Sequence, residues 1–266
     1  MINVKIVKSY VEINVNKSDY DFVFVFDQEP EAEYRNEVVR KLPSQKKMQS
    51  AKILTIIRLN NNFKHLKNIV LTLRKMTEKS DASVTYYLIV NDSKYLQDFI
   101  LCLEAMQIKD RKEKYEYLYD KTCEYLDEQF SKYNYCDFNH DKCIANRNGT
   151  CRYQEMGCCH SFKLSKFIPG MLTNERVCQY LSNKKCSTKN ISCKLHCCGY
   201  LREKGIRFKT HEMLALECFF NQKQHDIINL NFFRNREEII DKLLETNYEP
   251  YLIYLMHRGH KVKKIS

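Results

Sequence analysis

The chain has no tryptophan and only six glycines. So few glycines scarcely allow a phosphate-cradling loop, and no Walker A, G-x-G-x-x-G, G-x-S-x-G or H-E-x-x-H pattern occurs. P-loop, dinucleotide-loop, nucleophile-elbow and zincin chemistry are thereby set aside. No stretch approaches the roughly eighteen apolar residues that span a bilayer; the longest runs, FVFVF and VTYYLIV, are strand-sized. The opening MINVKIVKSYVEINVN lacks the charged, apolar and small-residue regions of a signal peptide and alternates like a strand. These absences predict a cytoplasmic chain with no membrane partner, in a compartment that keeps thiols reduced. On that reading the N-x-S/T triplets at Asn148 and Asn190 arise by chance and carry no glycan.

What is present suffices for a real core. The 266 residues are 44% hydrophobic, with 18 Tyr and 14 Phe supplying the aromatic mass, which suits one large domain or two modest ones. Residues 2–15 and 22–26 read as strands, and AKILTIIRL and VTYYLIV as two more, each enriched in β-branched and aromatic side chains. Between the latter two, Phe63, Leu66, Ile69, Val70 and Leu73 fall at helical spacing after an Asn-rich start suited to capping. KYLQDFILCLEAM predicts a second helix, so the order implies a parallel pair with a crossover. A charged hinge, KDRKEKYEY, leads into a long helix ending near Tyr133. Beyond residue 198, THEMLALECFFNQ reads as helix, INLNFF as a short strand and REEIIDKLLE as helix. The expected fold class is α+β. An α/β subdomain over 1–112 precedes a linker helix and loop-rich, metal-stapled cysteine module over 113–210, then a C-terminal helical segment with a basic tail over 211–266.

Ten of the 13 cysteines lie between 136 and 198, in two runs of five. The first is Cys136, Cys143, Cys151, Cys158 and Cys159; the second is Cys178, Cys186, Cys193, Cys197 and Cys198. Each run has Lys-Cys as its second member and ends in a vicinal pair, which suggests a repeated module. Cys102, Cys123 and Cys218 sit singly on apolar helical patterns and read as core residues. The ten sit among Lys, Asn, Ser and Gly, in segments too polar to pack, and need another source of order. Disulfides are one candidate, disfavoured in a reducing compartment. Thiolates on zinc are the preferred one, with an iron–sulfur cluster as the alternative; metal binding then serves as folding energy. Only Cys193-x₃-Cys197 matches a zinc knuckle, and no Cys-x₂-Cys-x₂-Cys run of the iron–sulfur kind is present. His160 and His196, beside the vicinal pairs, are candidates to complete a site.

The stretches YCDFNHDKCIAN, GCC, ISCKLHCCGYLREKGIRF and FFNQKQ resemble a set of cysteine-rich proteins from Firmicutes, over roughly residues 115–245. No activity is established for that set, so the resemblance implies a source and no mechanism. Separately, IIRLNNNFKHLKNIVLTLRK followed by LIVNDS resembles the opening of a GT-A glycosyltransferase, which implies a strand-end role for Asp92 beside a nucleotide-bound metal. The second acidic residue of that family is missing, and an N-cap explains Asn91-Asp92-Ser93 as well. The acidic run Asp27, Glu29, Glu31 and Glu33 reads as a solvated turn leading into a helix.

The net charge of +11 is uneven. Residues 136–207 hold thirteen Lys/Arg against five Asp/Glu, and the tail adds Arg258, Lys261, Lys263 and Lys264. Tyr135, Phe138, Tyr153, Phe162 and Tyr180 interleave with these cations. Such a surface suits nucleic acid, cations on phosphates and rings under bases, but suits a merely solubilising face better. The function expected from sequence is a metal-binding module acting on a partner, nucleic acid being one candidate through 136–207 and the tail. The alternative is an iron–sulfur enzyme of redox or group-transfer type; no small-molecule substrate is indicated.

Overall fold

The runs richest in β-branched and aromatic residues become strands, because such side chains pack well on a pleated surface buried on both faces. In the computed structural model, residues 3–39, 43–77, 80–136, 138–139, 142–143, 181–182, 185–232 and 234–245 are described. In chain order these form β1 (Asn3–Val7), β2 (Phe22–Phe26), α1 (Gln45–Met48), β3 (Lys52–Leu59), α2 (Phe63–Thr77), β4 (Ser83–Val90), α3 (Leu96–Gln107) and α4 (Arg111–Tyr133). Four two-residue strands follow, β5 (Phe138–Asn139), β6 (Lys142–Cys143), β7 (Leu181–Ser182) and β8 (Lys185–Cys186). The helices α5 (Ile191–Leu195), α6 (Gly199–Glu203), α7 (Leu214–Phe219), α8 (Gln222–Leu230) and α9 (Arg236–Leu244) complete the order. The protein is thus a mixed helix-and-sheet fold. Among the described residues no helix is long and apolar enough to cross a membrane.

The chain divides into two units, one of residues 1–114 and 212–219, the other of 115–211 and 220–266. In the first, β1 to β4 form a parallel sheet in the order β1-β4-β3-β2. The predicted parallel pair is β3 and β4, joined through α2. One sheet face buries Leu54, Ile56, Tyr87, Ile89, Val25 and Val7 under Tyr10, Ile13 and Tyr34 from short 3-10 turns. The alternate residues Ile53, Thr55, Ile57, Tyr86 and Leu88 are buried too, and the apolar sides of α2, α3 and α7 supply their cover.

α7 joins this unit through polar clamps as well as packing. Asp98 of α3 accepts hydrogen bonds from the backbone N–H groups of Leu214 and Ala215 at its start. Arg74 of α2 donates to the Cys218 carbonyl at its end, and Lys67 pairs with Glu217 between. The strand expected over 2–15 stops at Val7 because Tyr10 and Ile13 turn down onto the sheet face.

In the second unit α4, α5, α8 and α9 surround a core of Leu118, Tyr119, Leu126, Ile191, Leu195, Ile227, Ile228, Ile239 and Leu243. Over its described residues, 228–232, INLNFF is not a strand. A capping box from Asn221 and Gln224 starts α8, which carries Ile227 and Ile228 into the core and runs to Leu230. Fully buried Asn231 then closes it, its side-chain amide donating to the Ile227 carbonyl at 2.6 Å. β5 with β6 and β7 with β8 form two separate antiparallel ladders.

Candidate functional site

The two ladders share one register. Phe138 pairs with Cys143 and Asn139 with Lys142; Leu181 pairs with Cys186 and Ser182 with Lys185. Each run's Lys-Cys is therefore the second strand of a hairpin whose strands two residues separate, with the cysteine at its last paired position. The signal was in the sequence as apolar-polar-x-x-Lys-Cys at 138–143 and 181–186, hidden because the other residues differ.

The second run continues into α5. Asn190 caps this helix: its side-chain oxygen accepts from Cys193 N–H at 2.9 Å, and its amide nitrogen donates to the carbonyls of Asn231 and Arg234, each at 2.7 Å. Its residence in an Asn-Ile-Ser triplet thus has a structural cause, and with its amide enclosed it is no glycan acceptor in this fold. Ser192 Oγ donates to the Ile228 carbonyl and accepts from Asn231 N–H, while Tyr119 Oη accepts from Ile191 N–H and donates to the Lys189 carbonyl. The backbone from 189 to 193 is stitched to α4 and α8 by these bonds, so Cys193 leaves a rigid base.

Cys193, half-buried, directs its thiol at the Phe232 carbonyl, 3.7 Å away. The His196 ring meets Phe232 edge-on at 5.5 Å. Cys197 is buried, Cys198 half-buried. Burial raises the Cys197 pKa, and the Phe208 backbone N–H, donating to its sulfur, opposes that rise. An N–H aimed at sulfur favours thiolate, the form a metal takes. Half-buried Cys136 follows Tyr135, whose hydroxyl lies within electrostatic reach of Cys197. The residue before the first cysteine of run one thus lies near the end of run two. Among the described residues no three cysteine sulfurs lie within 4.8 Å of one another. Cys151, Cys158, Cys159, His160 and Cys178 lie outside the described residues, and Cys143 and Cys186 are placed by their backbone alone.

The three other cysteines are core residues, as their apolar settings predicted. Cys102, Cys123 and Cys218 are all buried. Burial, then a hydrogen bond with Cys218, raises the Cys102 pKa, and burial pushes Cys123 up to about 12. Cys102 and Cys123 therefore remain thiols near neutrality. In the same unit as Cys123, His211 and His225 stack ring to ring at 4.0 Å, a pairing sequence inspection did not single out.

The first unit has its own polar feature at the carboxyl end of the sheet. Asp27, just past β2, is buried, where a solvated turn was expected; only Glu29, Glu31 and Glu33 are exposed. Its Oδ2 accepts from Tyr10 Oη and from Arg58 Nε, both at 2.7 Å, and Oδ1 accepts from Glu29 N–H at 3.1 Å. The Arg58 guanidinium also lies 5.4 Å from the Tyr10 ring centre. At the neighbouring ends of β3 and β4, Asn61 donates to the Asp92 carbonyl and Ser93 Oγ to the Asn60 carbonyl. Asp92 caps nothing: the cap residue of α3 is Tyr95, and the Asp92 side chain is exposed.

No protein-family model matches the chain, and comparisons with curated proteins and with solved structures returned no match. The chemistry of the site must therefore come from its own residues.

Proposed function

We propose that this is a cytoplasmic metal-binding protein, zinc ahead of iron–sulfur, whose cysteine segment is a metal-held module serving to bind a partner. The observation that carries this reading is the shared hairpin register. Two runs of five cysteines differ in nearly every intervening residue yet set Lys-Cys at the same paired position. Ladders of two residue pairs bury too little to stand alone, and thiolate–metal bonds are the ordinary means of holding such pieces. The Phe208 N–H directed at Cys197 gives that sulfur a donor, although burial raises its pKa overall. The ligand set comprises Cys136, Cys143, Cys151, Cys158, Cys159, Cys178, Cys186, Cys193, Cys197 and Cys198, with His160 and His196 as replacements. Bound zinc would supply cohesion and a fixed surface, not a reaction.

Protein purified without oxygen is expected to be colourless and to carry about two zinc ions, one per run, as four-ligand sites require. Cys193→Ser and Cys197→Ser are expected to lose roughly half of that metal, while Cys102→Ser keeps all of it. Unchanged zinc in both module variants would overturn the ligand assignment. A brown sample with several irons would instead favour a redox or group-transfer enzyme. For that second reading the anchored Arg58 guanidinium, at the strand ends where open parallel sheets take their ligands, would hold an anionic substrate.

A further inference from the structure

Helix α4 ends in an aromatic surface. Tyr133 is its last residue and is 52% exposed. Asn134 follows with φ of 45°, a left-handed conformation that asparagine tolerates better than most residues and that commonly ends helices. This reversal lays Tyr135 against Tyr133, ring centres 5.4 Å apart and planes 18° from parallel. Behind them Phe130 and Phe208 fix Tyr135 from its edges, at 5.6 and 6.1 Å, and touch each other at 5.5 Å. The result is a stack with its inner ring wedged and its outer ring in water.

The stack sits among cations. Exposed Lys132 places its ammonium 5.1 Å from the Tyr133 ring centre. Phe208 lies between exposed Arg207 and Lys209, and Arg202 and Lys204 are exposed nearby in sequence, with Glu203 the single acid from 199 to 209. Arg202 and Arg207 both act electrostatically on Cys197, whose sulfur receives the Phe208 N–H. Cations and rings therefore share the locus of the cysteine site.

We infer that this stack is a base-stacking platform for single-stranded nucleic acid. A flat exposed ring accepts any base face, and surrounding Lys and Arg accept the phosphates, giving affinity without sequence readout. A duplex hides its base faces and cannot use Tyr133. The Lys132 ammonium is the group an incoming base displaces, its charge then passing to the backbone phosphate. The inference rests on the reading of this unit as a metal-held binding module.

The test uses the full chain with its metal and a labelled oligothymidylate of about a dozen nucleotides, followed by fluorescence anisotropy. Metal is measured in every sample. Because the chain has no tryptophan, emission comes from its 18 tyrosines, and the quenching lost in Tyr133→Ala reports the platform. The expected result is binding to the single strand in preference to the same sequence in duplex, with tyrosine quenching. Tyr133→Ala is expected to weaken binding about tenfold, at an unchanged salt slope, and Tyr133→Phe to retain it. No binding at low salt, preference for duplex, or equal affinity of Tyr133→Ala and the parent would each overturn the platform. If those results come from protein with a full metal load, the metal reading stands and only the platform falls; a chain without metal sinks the reading beneath it.

Discussion

Asp27 shows how one carboxylate fastens two strand ends and a turn. Burial alone would raise its pKa, but the hydrogen bonds from Arg58, Tyr10 and the Glu29 N–H outweigh that, and it titrates below the usual carboxylate range. A carboxyl lowered on folding contributes stability that is present above its unfolded pKa of about 4 and is lost as pH falls through the folded value. Thermal unfolding between pH 7 and pH 2 is therefore expected to show an acid loss that Asp27→Asn flattens below about pH 4. A variant with the same acid slope as the parent would contradict this role. Asp98 carries the opposite sign: burial raises its pKa despite two backbone N–H bonds. Its ionisation therefore costs stability as pH rises through the folded value. Nothing in DQEPEAE distinguishes Asp27 from its exposed neighbours, because its partners Tyr10 and Arg58 lie in the turn after β1 and at the end of β3.

At the scale of elements, α7 depends on Asp98 at its N-terminus. Six residues are too few for a helix to persist without outside contacts. Asp98→Ala leaves the N–H groups of Leu214 and Ala215 without their acceptor and is expected to cost about 1–3 kcal/mol. The effect should be read in urea unfolding, with Asp98→Asn intermediate because one acceptor oxygen remains. Equal midpoints for Asp98→Ala and parent would show that packing alone holds α7. Runs of β-branched and aromatic residues conveyed β2, β3 and β4 well, since such runs suit strands buried on both faces, and helical spacing conveyed α2. Periodicity overextended the first strand, because alternation continues past Val7 while Tyr10 is needed on the sheet face. It misread INLNFF, where apolar pairs suit a strand but the upstream capping box had already set a helix. Of the candidate site, the cysteine inventory and the core role of Cys102, Cys123 and Cys218 were legible. The hairpin repeat and the Tyr133–Tyr135 stack were not, because both depend on backbone reversals that composition does not encode.

At the scale of the whole molecule, the proposed metal would give the two units different sources of order. The first has a sheet buried on both faces; the second joins a helical core to the cysteine segment. Removing metal with a chelator is expected to speed amide hydrogen exchange in 185–210 by at least about tenfold. Exchange in β3 and β4 should stay unchanged. Uniform acceleration, or none, would show that metal does not hold the segment.

The pairing of α7 with α2 and α3 has a consequence for the order of synthesis. The strands and two of the covering helices leave the ribosome about a hundred residues before α7, and the whole second unit up to His211 intervenes. During that interval Cys102 of α3, buried beside Cys218 of α7, lacks part of its cover. The nascent sheet layer is then an unfinished surface awaiting a distant segment, and this is the stage at which a chaperone would be needed.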